Sequence, residues 1–214
     1  LLAARDAAVA GITMVVSRKL KRLLADEQNE IQDLVRRTRG NVRREDVLGA
    51  RDHHVGRYVA AVGGELLAAV SAGASFNNPG GQPKDTDLGA LDERLAAELL
   101  DPLRQLLGRG VDESAGDEDE LLDRVRSAYR EVKSQRVETT ARVVTLAAFN
   151  LGIVEAQPDG GMLRWVVDPV QGCSPDCLDN ELAGAVPAGE PFPTGDVYPP
   201  AHAGCRCLLV PADQ

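Results

Sequence analysis

Apolar residues recur three or four positions apart along the first third of the chain, which is the spacing of an amphipathic helix. The first stripe consists of Val16, Leu20, Leu24, Ile31 and Leu34. It predicts a helix from near the start of the chain to about Arg37. A second helix is predicted over Val55–Ala72, before a loop at residues 77–83 that is rich in Pro and Gly.

Two further apolar stripes follow this loop. The leucines between residues 88 and 106 predict a helix that bends or restarts at Pro102, because proline clashes with the preceding helical turn. The second stripe predicts a long helix over residues 118–156, and Lys133–Gln135 is the point at which it would break. An aromatic content of only 3% also favours packed helices built from Leu, Val and Ala.

The pattern changes after Pro158, where Pro, Gly, Asp and Cys become frequent and helical periodicity ends. Short apolar runs at Leu163–Val167 and Cys207–Val210 predict a β-hairpin. The predicted fold is therefore mainly α, with long helices followed by a small, irregular, Cys/His-rich C-terminal subdomain that contains a short β-hairpin. We place the boundary between a helical region (1–115) and a second domain (116–214) that joins the long helix to the tail 158–214.

The net charge of −9 opposes broad contact with nucleic acid or with anionic membranes, so any DNA contact is expected to be local. The charge is uneven: Arg18–Arg57 holds eleven basic and seven acidic residues, whereas Lys84–Asp123 holds four basic and thirteen acidic residues. Both stretches are interpreted either as solvated helix faces or as charge-matched docking surfaces. No membrane span is predicted, because Glu65 and several glycines interrupt the apolar run Tyr58–Phe76.

The basic stretch supplies candidate interaction residues around a predicted turn. These are Arg36, Arg37, Arg43 and Arg44. They are expected to face solvent, to contact an acidic protein surface, or to contact DNA phosphates.

All four cysteines and one histidine form two closely spaced groups near the end of the chain. The groups are Cys173-x3-Cys177 and His202-x2-Cys205-x-Cys207. Because structural Zn²⁺ takes four thiolate or imidazole ligands from short-range pairs, four of these five residues are predicted to bind Zn²⁺. Disulfides between the two groups, or reduced buried thiols, are the alternatives. A Cys177–His202 nucleophilic pair lacks a third orienting group, so no catalytic residues and no small-molecule substrate are predicted.

Several motifs in the last third of the chain share an order that points to one family. They are the helix Arg136-Val-Glu-Thr-Thr-Ala-Arg142, a Trp165-containing strand, the two cysteines 173 and 177, Phe192-Pro193, and Pro199-Pro200-x-His202 before Cys205-Arg-Cys207. In this order they resemble the C-terminal domain of phage Mu F-like minor head proteins. The resemblance covers about Arg136–Pro211. It departs from the family in the three residues between Cys173 and Cys177, where two are usual.

The resemblance implies a structural minor head protein of a phage or prophage, involved in head morphogenesis and not an enzyme. Its implied partners are portal and capsid proteins, and its implied location is the virion interior or the bacterial cytoplasm. The polar side chains of Arg136, Glu138 and Arg142 are expected either to orient the cysteine loop or to be solvated. A host-encoded cytoplasmic adaptor, or a piece of a larger effector whose enzyme module lies elsewhere, are the alternative functions.

Overall fold

A computed structural model describes residues 1–84, 86–169 and 173–212, and these residues form helices over most of their length. The helices are α1 (Leu2–Thr38), α2 (Arg44–Leu48), α3 (Arg51–Phe76), α4 (Gly89–Leu95), α5 (Asp101–Ser114), α6 (Glu118–Gln135), α7 (Val137–Glu155) and α8 (Pro175–Leu182). The strands are β1 (Met162–Val166), β2 (Ala185–Pro187) and β3 (Leu208–Pro211). The prediction of a mainly α fold with a small Cys/His-rich tail is confirmed.

Contacts within the chain define two compact units. The sheet unit consists of Leu1–Val15, Gly64–Leu91 and Arg142–Gln214, and the helical unit consists of Val16–Gly63 and Asp92–Ala141. This grouping differs from the predicted division at residue 115, because each unit contains residues from both sides of that position.

The predicted helix over 118–156 is in fact two helices, α6 and α7, which meet at Arg136. This is one residue beyond the expected break at Lys133–Gln135. A new helical segment begins near Pro102 as predicted, since this residue lies in the first turn of α5. A short π-helical segment, Ala96–Leu100, precedes that restart.

The three strands form an antiparallel sheet in the order β2-β1-β3. The expected two-stranded hairpin is therefore wrong in its connection, although both of its strands exist and pair with Trp165 opposite Leu209. The segment between them supplies α8 and the third strand, β2. Asn150 of α7 holds β3 in place, because its buried Oδ1 atom accepts a hydrogen bond from Leu209 N at 2.9 Å.

Two glycines in the sheet unit allow α3 and α7 to cross with their backbones in contact. A Cβ atom on Gly73 would lie 1.8 Å from the carbonyl oxygen of Phe149. A Cβ atom on Gly152 would lie 1.9 Å from the carbonyl oxygen of Val70. Each helix thus supplies the glycine that its neighbour's backbone requires.

The helical unit contains a buried polar network around Glu27 of α1. The Tyr58 hydroxyl donates to Glu27 Oε2 at 2.5 Å, and His54 Nε2 lies 2.7 Å from Glu27 Oε1. The other ring nitrogen of His54 lies 3.2 Å from Arg104 Nη1. Burial alone would raise the pKa of Glu27, but the neighbouring His54, Tyr58 and Tyr129 side chains together lower it from its usual value. The carboxylate is therefore ionised and held by its neighbours.

Two helical stretches, Arg44–Phe76 and Val137–Glu155, are long and apolar enough to cross a membrane by length and composition alone. In Val137–Glu155 most of the apolar window, 78%, is buried inside the protein. One or two such helices are weak evidence, because a buried core helix passes the same test. They are insufficient to indicate a membrane protein.

We expect Gly73→Ala and Gly152→Ala each to lower the free energy of unfolding by about 3 kcal/mol, because the new methyl group overlaps a backbone carbonyl. The matched control is Gly64→Ala on α3, where nothing lies within 4 Å of the added carbon. That substitution should raise stability by about 0.5–1 kcal/mol, since Ala favours helix over Gly. Urea unfolding measures all three variants, and equal effects at the three positions would contradict the close crossing.

We expect Glu27→Gln to lower the free energy of unfolding by about 2 kcal/mol at neutral pH, because it removes a buried, hydrogen-bonded charge. The folded pKa of Glu27 lies below 4.5, so the unfolded chain binds the proton more readily and acid favours unfolding. This contribution is present above pH 4.5 and is lost as the pH falls through the folded pKa. The variant should therefore lose less stability than the wild type on acidification, as measured by urea unfolding at neutral and acidic pH.

Glu30→Gln is the matched control for Glu27→Gln, because Glu30 lies on the same helix and forms an exposed ion pair with Arg57. It should cost less than about 1 kcal/mol. Identical acid sensitivity of wild type and Glu27→Gln would show that the network does not stabilise the folded state through this charge.

Candidate metal centre

The first part of the cysteine cluster is positioned by the start of α8. Ser174 is the N-cap residue, and its hydroxyl accepts a hydrogen bond from Cys177 N at 3.3 Å. Pro175 occupies the first turn, where its fixed φ angle favours helix initiation. These two residues place Cys177 on the inner side of the helix start, where it is fully buried. Cys173 precedes the helix and is half-buried.

The second part is positioned by a turn and by the sheet. Cys205 N donates to His202 O at 3.0 Å, which folds the His202–Cys205 segment back on itself. Cys207 immediately precedes β3, whose pairing with β1 fixes its position. Both Cys205 and Cys207 are buried.

The two sequence groups converge into one cluster. The candidate ligand atoms of Cys173, Cys177 and Cys207 lie within 4.8 Å of one another, and so do those of Cys177, His202 and Cys205. Cys177 belongs to both sets, so all five predicted residues are brought together. The Sγ atoms of Cys177 and Cys205 are 3.6 Å apart. Tetrahedral Zn²⁺ with Zn–S bonds of about 2.3 Å separates two sulfurs by about 3.8 Å, so this spacing suits a shared metal ion.

The His202 ring is oriented for metal binding. Its Nδ1 atom lies 3.0 Å from the carbonyl oxygen of Ala203, which can only accept a hydrogen bond. In the neutral ring the proton therefore lies on Nδ1, and Nε2 carries the free lone pair. Nε2 is buried and has no hydrogen-bond partner among the described residues. The donor set and the orphaned nitrogen both fit a metal ion, and these Cys and His side chains could hold one.

The thiol groups differ in charge. Hydrogen bonding from the Cys207 side chain, opposed by burial and helped by backbone N–H groups of Cys207 and Ala201, lowers the pKa of Cys205 to about 5. The same hydrogen bond to Cys205, together with burial, raises the pKa of Cys207. Burial also raises the pKa of Cys177 to about 11. Of these three thiols, Cys205 is thus the one that loses its proton most readily, and a bound cation would displace the remaining thiol protons.

None of the four cysteines forms a disulfide. The Sγ atoms of Cys177 and Cys205 are separated by 3.6 Å, whereas a disulfide needs about 2.05 Å.

Sequence reasoning missed the residue that holds the second part of the cluster, Arg5 of α1. Its side chain is fully buried, and its Nη1 atom donates to the backbone oxygens of Arg206 and Cys207, the latter at 3.3 Å. Asp6 forms ion pairs with both Arg5 and Arg206. Arg206 Nε in turn lies 3.2 Å from Asp168 Oδ2, just after β1. The detectable signal was the charged pair Arg5-Asp6 inside an otherwise apolar stretch.

The helix residues named with the resemblance do not share one location. Arg136 donates to the backbone oxygen of Glu98 at 3.4 Å, and Glu138 accepts hydrogen bonds from Ser17 and Lys21, all within the helical unit. The side chain that donates hydrogen bonds to the segment carrying Cys207 is that of Arg5. Arg142 lies in the sheet unit, and its Nε atom is buried without a hydrogen-bond partner among the described residues.

The basic residues of the predicted turn are mostly engaged in local ion pairs. Arg36 pairs with Asp33, Arg43 pairs with Glu45 and Asp46, and Arg44 pairs with Asp112 of α5. Arg37 and His53 both line one cavity of the helical unit. These pairs favour the interpretation of this turn as a solvated, locally compensated surface.

We expect Arg5→Met to lower the stability of the sheet unit by about 3 kcal/mol, because two backbone carbonyls and Asp6 lose a buried, charged donor. Trp165, which is the chain's one tryptophan and is 1% exposed, reports on this unit by its fluorescence during urea unfolding. Arg22→Met is the control, because the Arg22 side chain is 86% exposed. A similar, small change in both variants would show that Arg5 does not hold the cluster.

Comparisons with known proteins add no family assignment. No family model, no curated protein and no solved structure matches the chain. The resemblance to Mu F-like proteins therefore stays a hypothesis that depends on the order of the motifs.

Proposed function

We propose that the Cys/His cluster binds one structural Zn²⁺ ion and that the chain is a structural minor head protein of a phage or prophage. The observation that carries the first part is the convergence of five soft ligands, with a buried, unpartnered His202 Nε2 atom, around Cys177. The order of the family-like motifs carries the second part.

One zinc ion takes its ligands from both sequence groups. Cys177, His202 and Cys205 form one set of three, and the fourth ligand comes from the other set, in which Cys173 and Cys207 both lie near Cys177. Four protein ligands close the coordination sphere, which is the arrangement of structural sites and leaves no position for a substrate. The ion would therefore stabilise the fold and would not activate water.

The surroundings of the cluster support a structural role. The sheet is small, and its core is completed by residues of the C-terminal tail, including Trp165 and Phe192, whose rings pack edge to face at 5.2 Å. A metal ion that joins α8 to the segment before β3 adds folding free energy where the apolar core is small. Such a lobe offers a rigid surface for docking against a neighbouring protein.

The motif residues of the resemblance support one module. Trp165, Phe192, Cys177, Cys205 and Cys207 are far apart in sequence but belong to one buried cluster. An ordered set of motifs that packs together fits a single inherited domain better than unrelated local features. On this basis the proposed partners are portal and capsid proteins, and the proposed location is the virion interior.

We expect protein purified without added metal to contain about one Zn²⁺ per chain and to release it, with exposure of its thiols, only on chelation. Elemental analysis and a thiol count before and after chelation measure this. His202→Ala should lower the zinc content and the thermal stability reported by Trp165 fluorescence, whereas His53→Ala should change neither, because His53 is exposed and outside the cluster. Full thiol reactivity without metal, or equal zinc content in both variants, would overturn the zinc site.

The head-assembly role is tested separately. The portal and capsid proteins of the proposed phage or prophage are produced with the tagged chain, and assembled particles are separated from free protein by density. The expected result is a fixed, low number of chains per particle. If particles form in normal number and with normal composition but do not contain the chain, the head-assembly role is overturned. The zinc result is not affected by that outcome.

A further inference from the structure

A groove of about 660 Å³ lies in the helical unit between α1 and α6. Its positive charges come from three side chains of α6, Arg126, Arg130 and Lys133. Three carboxamide side chains of α1 line the same groove, those of Gln28, Asn29 and Gln32. None of the described residues that line it carries a carboxylate. The groove therefore favours an anionic ligand.

Two of these three cations have no carboxylate partner within the described part of the chain. Arg130 is exposed and forms no hydrogen bond or ion pair there. Lys133 is partly buried, and its Nζ atom donates to Gln28 Oε1 at 2.8 Å. Burial lowers the pKa of Lys133, and an anion in the groove would counter this effect by favouring the charged ammonium group. The third cation, Arg126, forms an exposed ion pair with Asp123, which solvent screens.

The carboxamides of Gln28 and Gln32 have their oxygen atoms occupied by cations of the protein itself. Gln28 Oε1 accepts from Lys133, and Gln32 Oε1 accepts from Arg36 Nη2 at 3.4 Å. The NH₂ group of each carboxamide has no acceptor among the described residues. Gln32 is only 8% exposed, so a ligand in the groove is the partner that its NH₂ group can reach. These side chains offer donors and positive charge, and the ligand must supply acceptors and negative charge.

The spacing of the positive charges favours a ligand with consecutive anionic groups. Arg126, Arg130 and Lys133 recur at helical spacing and span about 10 Å along α6. Consecutive phosphate groups would pair with them separately, so the three like charges need not converge on one anion. The described lining contains no aromatic side chain and one apolar residue, Ala25, so it offers little surface for a base or another ring. The anionic groups are therefore the part of the ligand that this groove recognises.

The charge of the whole chain favours a compact ligand over a nucleic acid. The net charge is −9, so a polyanion that extends beyond the groove would be repelled. Phosphate also suits the groove better than carboxylate. A terminal phosphate group carries about two negative charges and three accepting oxygens, whereas a carboxylate carries one charge and two oxygens.

We propose that the groove between α1 and α6 binds a compact ligand through a di- or triphosphate group. Arg130 and Lys133 pair with consecutive phosphate groups, and Arg126 pairs with the far end of the phosphate chain. Gln28 and Gln32 donate hydrogen bonds to the phosphate oxygens. This site is independent of the zinc proposal, because its residues belong to the helical unit and the cysteine cluster belongs to the sheet unit.

Isothermal titration calorimetry with sodium tripolyphosphate, at physiological ionic strength and without divalent metal ions, tests the site. Wild-type protein should bind one tripolyphosphate per chain. Arg130→Gln and Lys133→Gln should each weaken binding at least about tenfold, because each removes charge-assisted hydrogen bonds. Arg22→Gln is the matched control, since it removes the same charge from a side chain of α1 that is 86% exposed and does not line the groove. It should leave the affinity nearly unchanged.

Gln28→Glu separates binding from folding. The new carboxylate would lie beside Lys133 and would repel the phosphate groups, so tripolyphosphate binding should be lost. The free energy of unfolding, measured with urea, should be unchanged or higher, because Lys133 gains an ion pair. A Gln28→Glu variant that binds tripolyphosphate as tightly as the wild type does would contradict the site.

Two further probes distinguish the class of ligand. Citrate offers carboxylates alone, and a duplex oligonucleotide offers phosphates on a long polyanion. Both should bind the wild type at least about tenfold more weakly than tripolyphosphate does. The proposal is overturned if the wild type does not bind tripolyphosphate, if Arg22→Gln weakens binding as much as Arg130→Gln, or if citrate or the duplex binds equally well or better.

Discussion

The buried guanidinium of Arg5 is the interaction on which the cysteine cluster depends. Its donors bind the carbonyl groups of Arg206 and Cys207, so they fix the backbone of the segment that carries two of the four thiols. Because a buried charge without partners is costly, Arg5 and this segment each require the other for stability. Asp6, Arg206 and Asp168 extend the same network to the end of β1. This network links the sheet and the cysteine cluster to the start of α1. It thereby keeps Cys205 close to Cys177.

The stability of the two units comes from different chemistry. In the sheet unit, glycines bring α3 and α7 into backbone contact. Asn150 of α7 then fixes β3 by a hydrogen bond to its backbone. In the helical unit, the ionised Glu27 carboxylate is buried among His54, Tyr58 and Tyr129. In each unit, buried backbone or side-chain polar groups find hydrogen-bond partners within a core made mostly of Leu, Val and Ala.

The local sequence pattern predicted the helices and the candidate metal ligands, because both are recognised from residues that lie close together in the sequence. The apolar stripes placed α1 and α3 closely, and Pro102 marked the start of α5. The close spacing of cysteines and histidine predicted residues that do converge. Long-range features were not visible: β2 is too short to produce a periodic signal, and nothing near Gly73 reveals that Phe149 lies against it. Arg5 was visible only as a charge in an apolar run, because its partners lie at the other end of the sequence.

The sheet unit has a consequence for synthesis on the ribosome. Its three segments enclose both segments of the helical unit in the sequence, and its last strand, β3, comes after all of them. Residues 16–141 therefore emerge before β3 exists, and the helical unit has all of its parts while the first turns of α1 still lack Cys207. During that interval the Arg5 guanidinium stays hydrated. Emergence of Cys207, just before β3, is the event that dehydrates it, because the Arg5 guanidinium then binds the carbonyl oxygen of Cys207.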